Sequence, residues 1–442
     1  MLKYFFTVAI SVTVSTCILA QTSGINSPFS RFGIGDLVNP NPIYLRQMGG
    51  VNAAYADNYH VNHVNPASLP FLRATSFDIG VAANYRTLTD NNNTTKDWSG
   101  ALEYLSLAFP LRNPLNEVFD REVRDLRFGM SFTLLPVSKV SYLISNESED
   151  EELGGLTRDF RGTGGTYKLQ WGNGVQYKNL YAGINLGYLF GKIDYERNIE
   201  FNDPNTFDVR FSNNYSLRGF NYNIGFIYQL FLNKDEVAKN SNIDLQAINF
   251  GIYGNSSTRI TTNAEEIFLN EYGGSVTGLI TDTLSFETGV KGSGLLPGQL
   301  GTGVTYFKGS SLSLSLNYVL TRWSQYENDA NPETLSDAYK LSFGGFYRPN
   351  IKSFEYRNRV FYRFGGYIGK DPISIDNNQL STYGGSLGLG LPFVYQRKIS
   401  HINLGVEVGR RSVGTLLRET FVKLGVGLTF NDDEWFIKRK YN

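Results

Sequence analysis

Cysteine is nearly missing from this chain of 442 residues, and the single copy, Cys17, lies close to the N-terminus. The rest of the chain therefore has no disulfide, no cysteine metal ligand and no thiol nucleophile. Histidine is almost as scarce, with only His60, His63 and His401. Lys and Arg balance Asp and Glu at 41 each. Without a basic excess the chain does not read as a nucleic-acid binder. Nucleotide-binding motifs are not evident either, and long apolar runs are limited to one, Phe5 to Ala20.

That run follows Lys3, ends Cys17-Ile18-Leu19-Ala20, and is succeeded by polar Gln21-Thr22-Ser23-Gly24. It reads as a secretory signal over residues 1–20, cut after Ala20. A membrane anchor would need a longer run. A lipoprotein signal would need a small residue just before the cysteine, where Thr16 stands. Loss of residues 1–20 removes Lys3 alone among the charges and leaves 40 basic against 41 acidic groups.

What is abundant is Gly (46), Phe (31) and Tyr (28), a mixture suited to amphipathic strands with aromatic girdles and small inward residues. Near the C-terminus Val422, Leu424, Val426, Leu428 and Phe430 alternate with Lys423, Gly425, Gly427 and Thr429. One parity suits lipid, the other a lumen, as the closing strand of a barrel requires. The same period-2 pattern recurs along the chain. The expected fold is an all-β transmembrane antiparallel barrel of about 14 strands over residues 75–430, with a plug at 21–74 and a periplasmic tail at 431–442.

The third strand runs into Pro136, which is either a turn between two strands or a break in one, because proline cannot donate to the ladder. Loop parity favours one broken strand over residues 125–146, with the acidic stretch Asn146 to Asp159 in an outer loop and Tyr177-Lys178-Asn179 as a tight periplasmic turn. Residues 257–298 read as a long outer loop with a hairpin near Leu284 to Val290. If that hairpin joined the wall, the count would be sixteen.

Residues 21–74 lack the alternation and are dense in Gly, Asn and Pro, with apolar anchors at Phe29, Phe32, Tyr44, Leu45, Leu69 and Phe71. They need a surface to pack on, and the lumen offers one. The order Gly49-Gly50, Ala53-Ala54, Asp57, Asn65-Pro66-Ala67 before the first strand resembles the N-terminal hatch of the FadL-type family of outer-membrane hydrophobic-compound transporters. The Ser27-Pro28-Phe29-Ser30-Arg31-Phe32-Gly33 opening and the Trp435 to Lys440 ending look like Bacteroidota members and their relatives, the PorV-type barrels of the type IX secretion system. The resemblance implies a lumen plug, fourteen strands and a kinked strand that opens the wall sideways.

On that basis Gly49, Gly50, Asn65, Pro66 and Ala67 are the hatch motif, Pro136 marks a rim bulge or the lateral opening, and Phe29 and Phe32 are candidate ligand contacts. Lys168, Gln170, Lys340, Arg363, Glu407 and Lys423 are inward residues suited to holding the hatch. His60 and His63 are spaced for metal only if helical, and no third ligand accompanies them. No metal, cofactor or enzymatic activity is expected. The expected partners are outer-membrane lipid and a hydrophobic small molecule, fatty-acid-like, taken up passively by lateral diffusion. The alternative is a non-transporting barrel that serves as an envelope partner or scaffold in type IX secretion or outer-membrane protein assembly.

Overall fold

The computed structural model of the chain describes residues 27–432 and 434, apart from 91–92, 112–124, 151–153, 204–205, 241, 275–277, 396–397 and 415–416. The signal at 1–20 and the Trp435 to Lys440 ending lie outside the described residues.

Alternation along each strand builds a wall that closes on itself. The strands are β1 (Thr75–Thr89), β2 (Thr94–Pro110), β3 (Leu126–Asp150), β4 (Gly154–Tyr177), β5 (Leu180–Phe201) and β6 (Asp208–Phe231). Next come β7 in two segments, Gln246–Asn255 and Thr258–Gly274, and β8 in two, Gly278–Leu296 and Gln299–Lys308. The wall is completed by β9 (Leu312–Thr321), β10 (Ala338–Tyr347), β11 (Phe361–Ile375), β12 (Asn378–Tyr395), β13 (Lys398–Val413) and β14 (Leu417–Asp432). Neighbours pair antiparallel, and β14 pairs with β1 from Arg418↔Thr89 to Asp432↔Thr75. The result is a closed barrel of 14 strands.

The face each residue takes follows its parity. On β6, Phe220, Tyr222, Ile224, Phe226, Tyr228 and Leu230 are exposed on the outer wall, whereas Asn223 and Ile227 between them are buried. Such a band is roughly 25 Å tall, the height of the hydrocarbon layer an outer-membrane barrel spans. The chain is thus an outer-membrane β-barrel. On β14 the even-numbered residues from Val422 to Phe430 face outward, and Gly427 and Thr429 are buried inside.

Several stretches expected to be loops are strand. β3 and β4 stay paired out to Asp150↔Gly154, so acidic Glu147 and Glu149 stand on a ladder. Residues 258–274 and 278–296 likewise pair with each other and with β6. They prolong β7 and β8 upward, which keeps the count at fourteen. Above the lipid the outer face of a strand meets water and is polar, and the inner face, although buried, mixes Thr258 and Thr262 with Ile260 and Ala264, so apolar alternation does not reveal the ladder. Pro136 lies within one continuous strand, and the last strand ends at Asp432, two residues past Phe430.

The lumen is filled by the N-terminal plug. From Asn41 to Pro70 nearly every residue is buried. Wall side chains hold its backbone: Gln170 Nε2 and Asn185 Nδ2 donate to His63 O at 2.7 and 3.1 Å, Asn223 Nδ2 to Val64 O at 2.8 Å, and Asn249 Nδ2 to Ala54 O at 3.2 Å. A segment with little regular structure of its own must find partners for its backbone, and the wall asparagines supply them.

Candidate functional site

Among the described residues, the ladder is broken within the lipid-facing band between β2 and β3. β2 pairs with β3 only from Leu105↔Leu134 to Pro110↔Gly129. Beyond those six pairs, toward the extracellular side, the strands part. Each carries an extra residue beside the parting: Glu103 on β2, between Gly80↔Tyr104 and Val81↔Leu102, and Val137 on β3, between Pro136↔Tyr167 and Ser138↔Thr166. A bulge bends its strand and sharpens the local twist, so two bulges at the same level turn the strands away from each other. Pro136 contributes by withholding a donor where the ladder ends.

The free edge of β3 is covered from inside. Asp36–Leu37 of the plug forms a short strand paired as Asp36↔Lys139 and Leu37↔Ser138. Val38 N donates to Val137 O at 3.0 Å, and Ser138 Oγ donates to Ile34 O at 2.7 Å. Unpaired backbone facing lipid is costly, and this strand reduces that cost on one edge.

The plug strand is latched by charge. Asp36 meets Arg411 at 2.8 Å and Arg86 at 3.2 Å, while Glu419 lies 3.3 Å from Arg86 and Asp371 lies 2.9 Å from Arg411. Burial alone would raise the Asp36 pKa, but the two guanidiniums outweigh it and hold the carboxyl at about 2. Below the latch, Arg46 of the plug meets Glu103, the bulge residue of β2, at 2.8 Å. Both partners are almost wholly buried, so removal of either would strand a charge.

Behind the parting lies a cavity of about 580 Å³. Its lining runs from Lys340, Glu407 and Lys423 on the far wall, past Asp36 and Leu37, to Leu102, Pro136 and Tyr167 at the parting. Leu102 and Tyr167 are about half exposed on the outer face, at 51% and 49%. The cavity therefore lies directly behind the parting and is lined there by residues whose side chains are exposed on the outer face. Phe32, Leu134, Leu135 and Val319 give it apolar surface; Lys139, Lys340 and Lys423 give it positive charge.

The residues singled out from sequence fall into different places. Pro136 and Phe32 line the cavity. Phe29 does not: it is fully buried with Ile373, Leu380 and Val413, with the Arg411 guanidinium 5.1 Å above its ring. Gly49 and Gly50 make a left-handed turn against β10 and β11. Asn65 caps the helical turn Pro66–Phe71 by accepting from Ala67 N at 3.1 Å and donates to Ala53 O at 2.6 Å. Gln170 and Arg363 hold the plug, the latter through Gln47 at 2.9 Å, and Glu407 accepts from Tyr367 at 2.6 Å.

The histidines serve the plug. His60 Nδ1 lies 2.9 Å from Asp57, and His63 Nε2 lies 2.7 Å from Pro40 O. Burial pushes the His63 pKa down to about 4, so the ring is neutral and Nε2 is the donor. Among the described residues no group of three or more His, Cys, Asp or Glu is placed to hold a metal ion.

Sequence reasoning missed the Asp36 latch and the Arg46–Glu103 pair, because neither partner follows from spacing. One signal was present: Gly162-Thr163-Gly164-Gly165 on β4 lies opposite the β3 bulge, with Gly164↔Val140 and Gly165↔Lys139.

Fold and site together define a plugged outer-membrane β-barrel whose wall parts beside its lumen. The sequence model of the BamG family matches residues 1–442, and the chain belongs to that family. Among solved structures, a FadL homologue from Pseudomonas aeruginosa aligns with 13% identity and a TM-score of 0.56, covering 89% of this chain and 98% of that one. The Pseudomonas putida toluene transporter TodX aligns with 14% identity and a TM-score of 0.52, covering 88% and 98%. The Ralstonia pickettii toluene transporter TbuX gives 14% and 0.51, covering 88% and 98%. At these identities the likeness is one of fold. No curated protein matches the sequence.

Proposed function

We propose that this barrel is an outer-membrane channel for a hydrophobic compound with a polar, fatty-acid-like end, which enters the cavity from the extracellular side and leaves sideways between β2 and β3. The observation that carries this reading is the continuity of the cavity from Lys340 and Glu407 to outward-facing Leu102 and Tyr167. Diffusion is the driving force, so no nucleotide site is needed. The apolar lining suits the body of such a compound and the lysines suit its polar end. The structural neighbours include proteins described as toluene transporters, which supports the same reading.

A second reading has an observation of its own. The lumen around the plug is fixed by buried ion pairs and by side-chain hydrogen bonds to the plug backbone. A barrel sealed in this way also suits a partner or scaffold in secretion or outer-membrane protein assembly.

One preparation tests both. Barrel purified from its own membrane is analysed by mass spectrometry for small molecules and proteins, and uptake of a labelled fatty acid into proteoliposomes is compared between wild type and Leu102→Arg. A stoichiometric hydrophobic compound, with uptake reduced at least about tenfold by the charge at the parting, supports the channel. An empty cavity with a stoichiometric protein partner supports the scaffold.

A further inference from the structure

The extracellular mouth is closed by the segment between β9 and β10, residues 322–337, which folds back into the barrel. Its Glu327–Asn328 pairs with Leu295 and Gly294 of β8. Trp323, Tyr326 and Leu335 are buried in one cluster with Tyr142, Ile193 and Tyr215 of the upper wall. Ile34 of the plug belongs to the same cluster.

The segment grips the plug at Gly33. Asn331 Nδ2 donates to Gly33 O at 3.1 Å, and the Glu333 carboxylate accepts from Gly33 N. Gly33 has φ +61°, and a Cβ there would lie 3.2 Å from Leu335 Cδ1. Three residues later the chain is Asp36–Leu37, paired to β3 at the parting. The stretch from Gly33 to Val38 is therefore a beam, gripped by the lid at Gly33 and held along the β3 edge from Ile34 to Val38.

We infer that residues 322–337 are a lid interlocked with the lateral parting: displacing the lid from outside releases Gly33 and with it the plug strand that covers the β3 edge. The gating role rests on the lateral exit proposed above, whereas the coupling itself is independent of any solute. Gly33 to Val38 is too short to absorb a movement at one end without passing it on. Coupling between two ends of one element is also reciprocal, so weakening the wall end must loosen the lid.

The test is amide hydrogen exchange, read by mass spectrometry, on the full barrel in lipid nanodiscs. The double variant Asn331→Ala, Glu333→Ala should raise exchange at residues 36–38 about tenfold or more and leave residues 43–71 unchanged. In the other direction, Ser138→Ala removes the hydrogen bond to Ile34 O and should raise exchange at Gly33 and across residues 326–335. Exchange that rises only within residues 322–337 and at Gly33 would overturn the interlock. A rise across the whole plug would overturn it too, since the beam would not be a separate element. Coupling in both directions without fatty-acid uptake would retain the interlock and remove the channel reading.

Discussion

Neutralising Asp36 isolates the latch. The Asp36→Asn side chain keeps its size but loses the charge held between Arg86 and Arg411. Holding the carboxyl from 3.8 down to about 2 corresponds to roughly 2 kcal/mol at ~1.4 kcal/mol per tenfold change in equilibrium. The two arginines are not stranded by the change, because Glu419 and Asp371 remain within 3.3 and 2.9 Å of them. The cost should therefore stay near that value and below the larger penalty of leaving a buried charge alone. Opening of the plug strand from β3 should become roughly thirtyfold more frequent, read as amide exchange at residues 36–38 at pH 7. The pH dependence gives an internal check. Because the folded state lowers this pKa, the latch contributes fully above pH 3.8 and is lost as pH falls toward about 2. Wild-type exchange at these amides, corrected for its intrinsic rate, should climb as pH falls through that acid window, while Asp36→Asn should show no such climb. A change under about threefold at pH 7 would mean that backbone pairing alone holds the strand, and the electrostatic argument would be wrong.

Glu333 should act in the opposite sense. Burial raises its pKa above the usual 4.5 despite the Gly33 N–H and Arg31, so its contribution to the closed lid is full below pH 4.5 and is lost as pH rises through the higher folded value. Exchange across residues 326–335 should rise with pH, and Glu333→Gln should remove that dependence. His63, neutral in the fold, should stabilise the plug above pH 6.5 and cease to do so as pH falls toward about 4, measured as amide exchange across residues 61–65 corrected for its intrinsic rate. Gly251→Ala would drive a Cβ into Ala53 O and should loosen the plug by about 1–3 kcal/mol, seen as tryptic cleavage after buried Arg46 at pH 8. Phe29→Ala should cost about 3–5 kcal/mol of thermal stability, as a buried aromatic does, whereas Phe32→Asp, at a half-buried position beside the same cluster, should lower the melt less and reduce fatty-acid uptake.

The barrel was legible in the sequence because a strand between lipid and lumen must alternate. Val422 to Phe430 shows the rule, and it holds wherever a residue such as Phe226 faces lipid while Ile227 faces the plug. The rule stops at the membrane surface. Residues 146–159 and 257–298 carry no clear apolar alternation and read as loops, although their backbones continue the ladder above the lipid. The plug was legible as a segment without period but with apolar anchors. Its dependence on wall asparagines such as Asn185, Asn223 and Asn249 was not.

The sequence by itself determined that the chain makes an amphipathic antiparallel barrel and that a segment without its period precedes the wall. These are properties of neighbours along the chain. Only the tertiary structure decided that Asp36, Arg86 and Arg411 meet, that Glu103 is a bulge residue clamped by Arg46, that Phe32 lines the cavity whereas Phe29 does not, and that residues 322–337 reach down to Gly33. Those contacts join residues up to several hundred positions apart. Closing the barrel sets their spacing, and no local pattern records it.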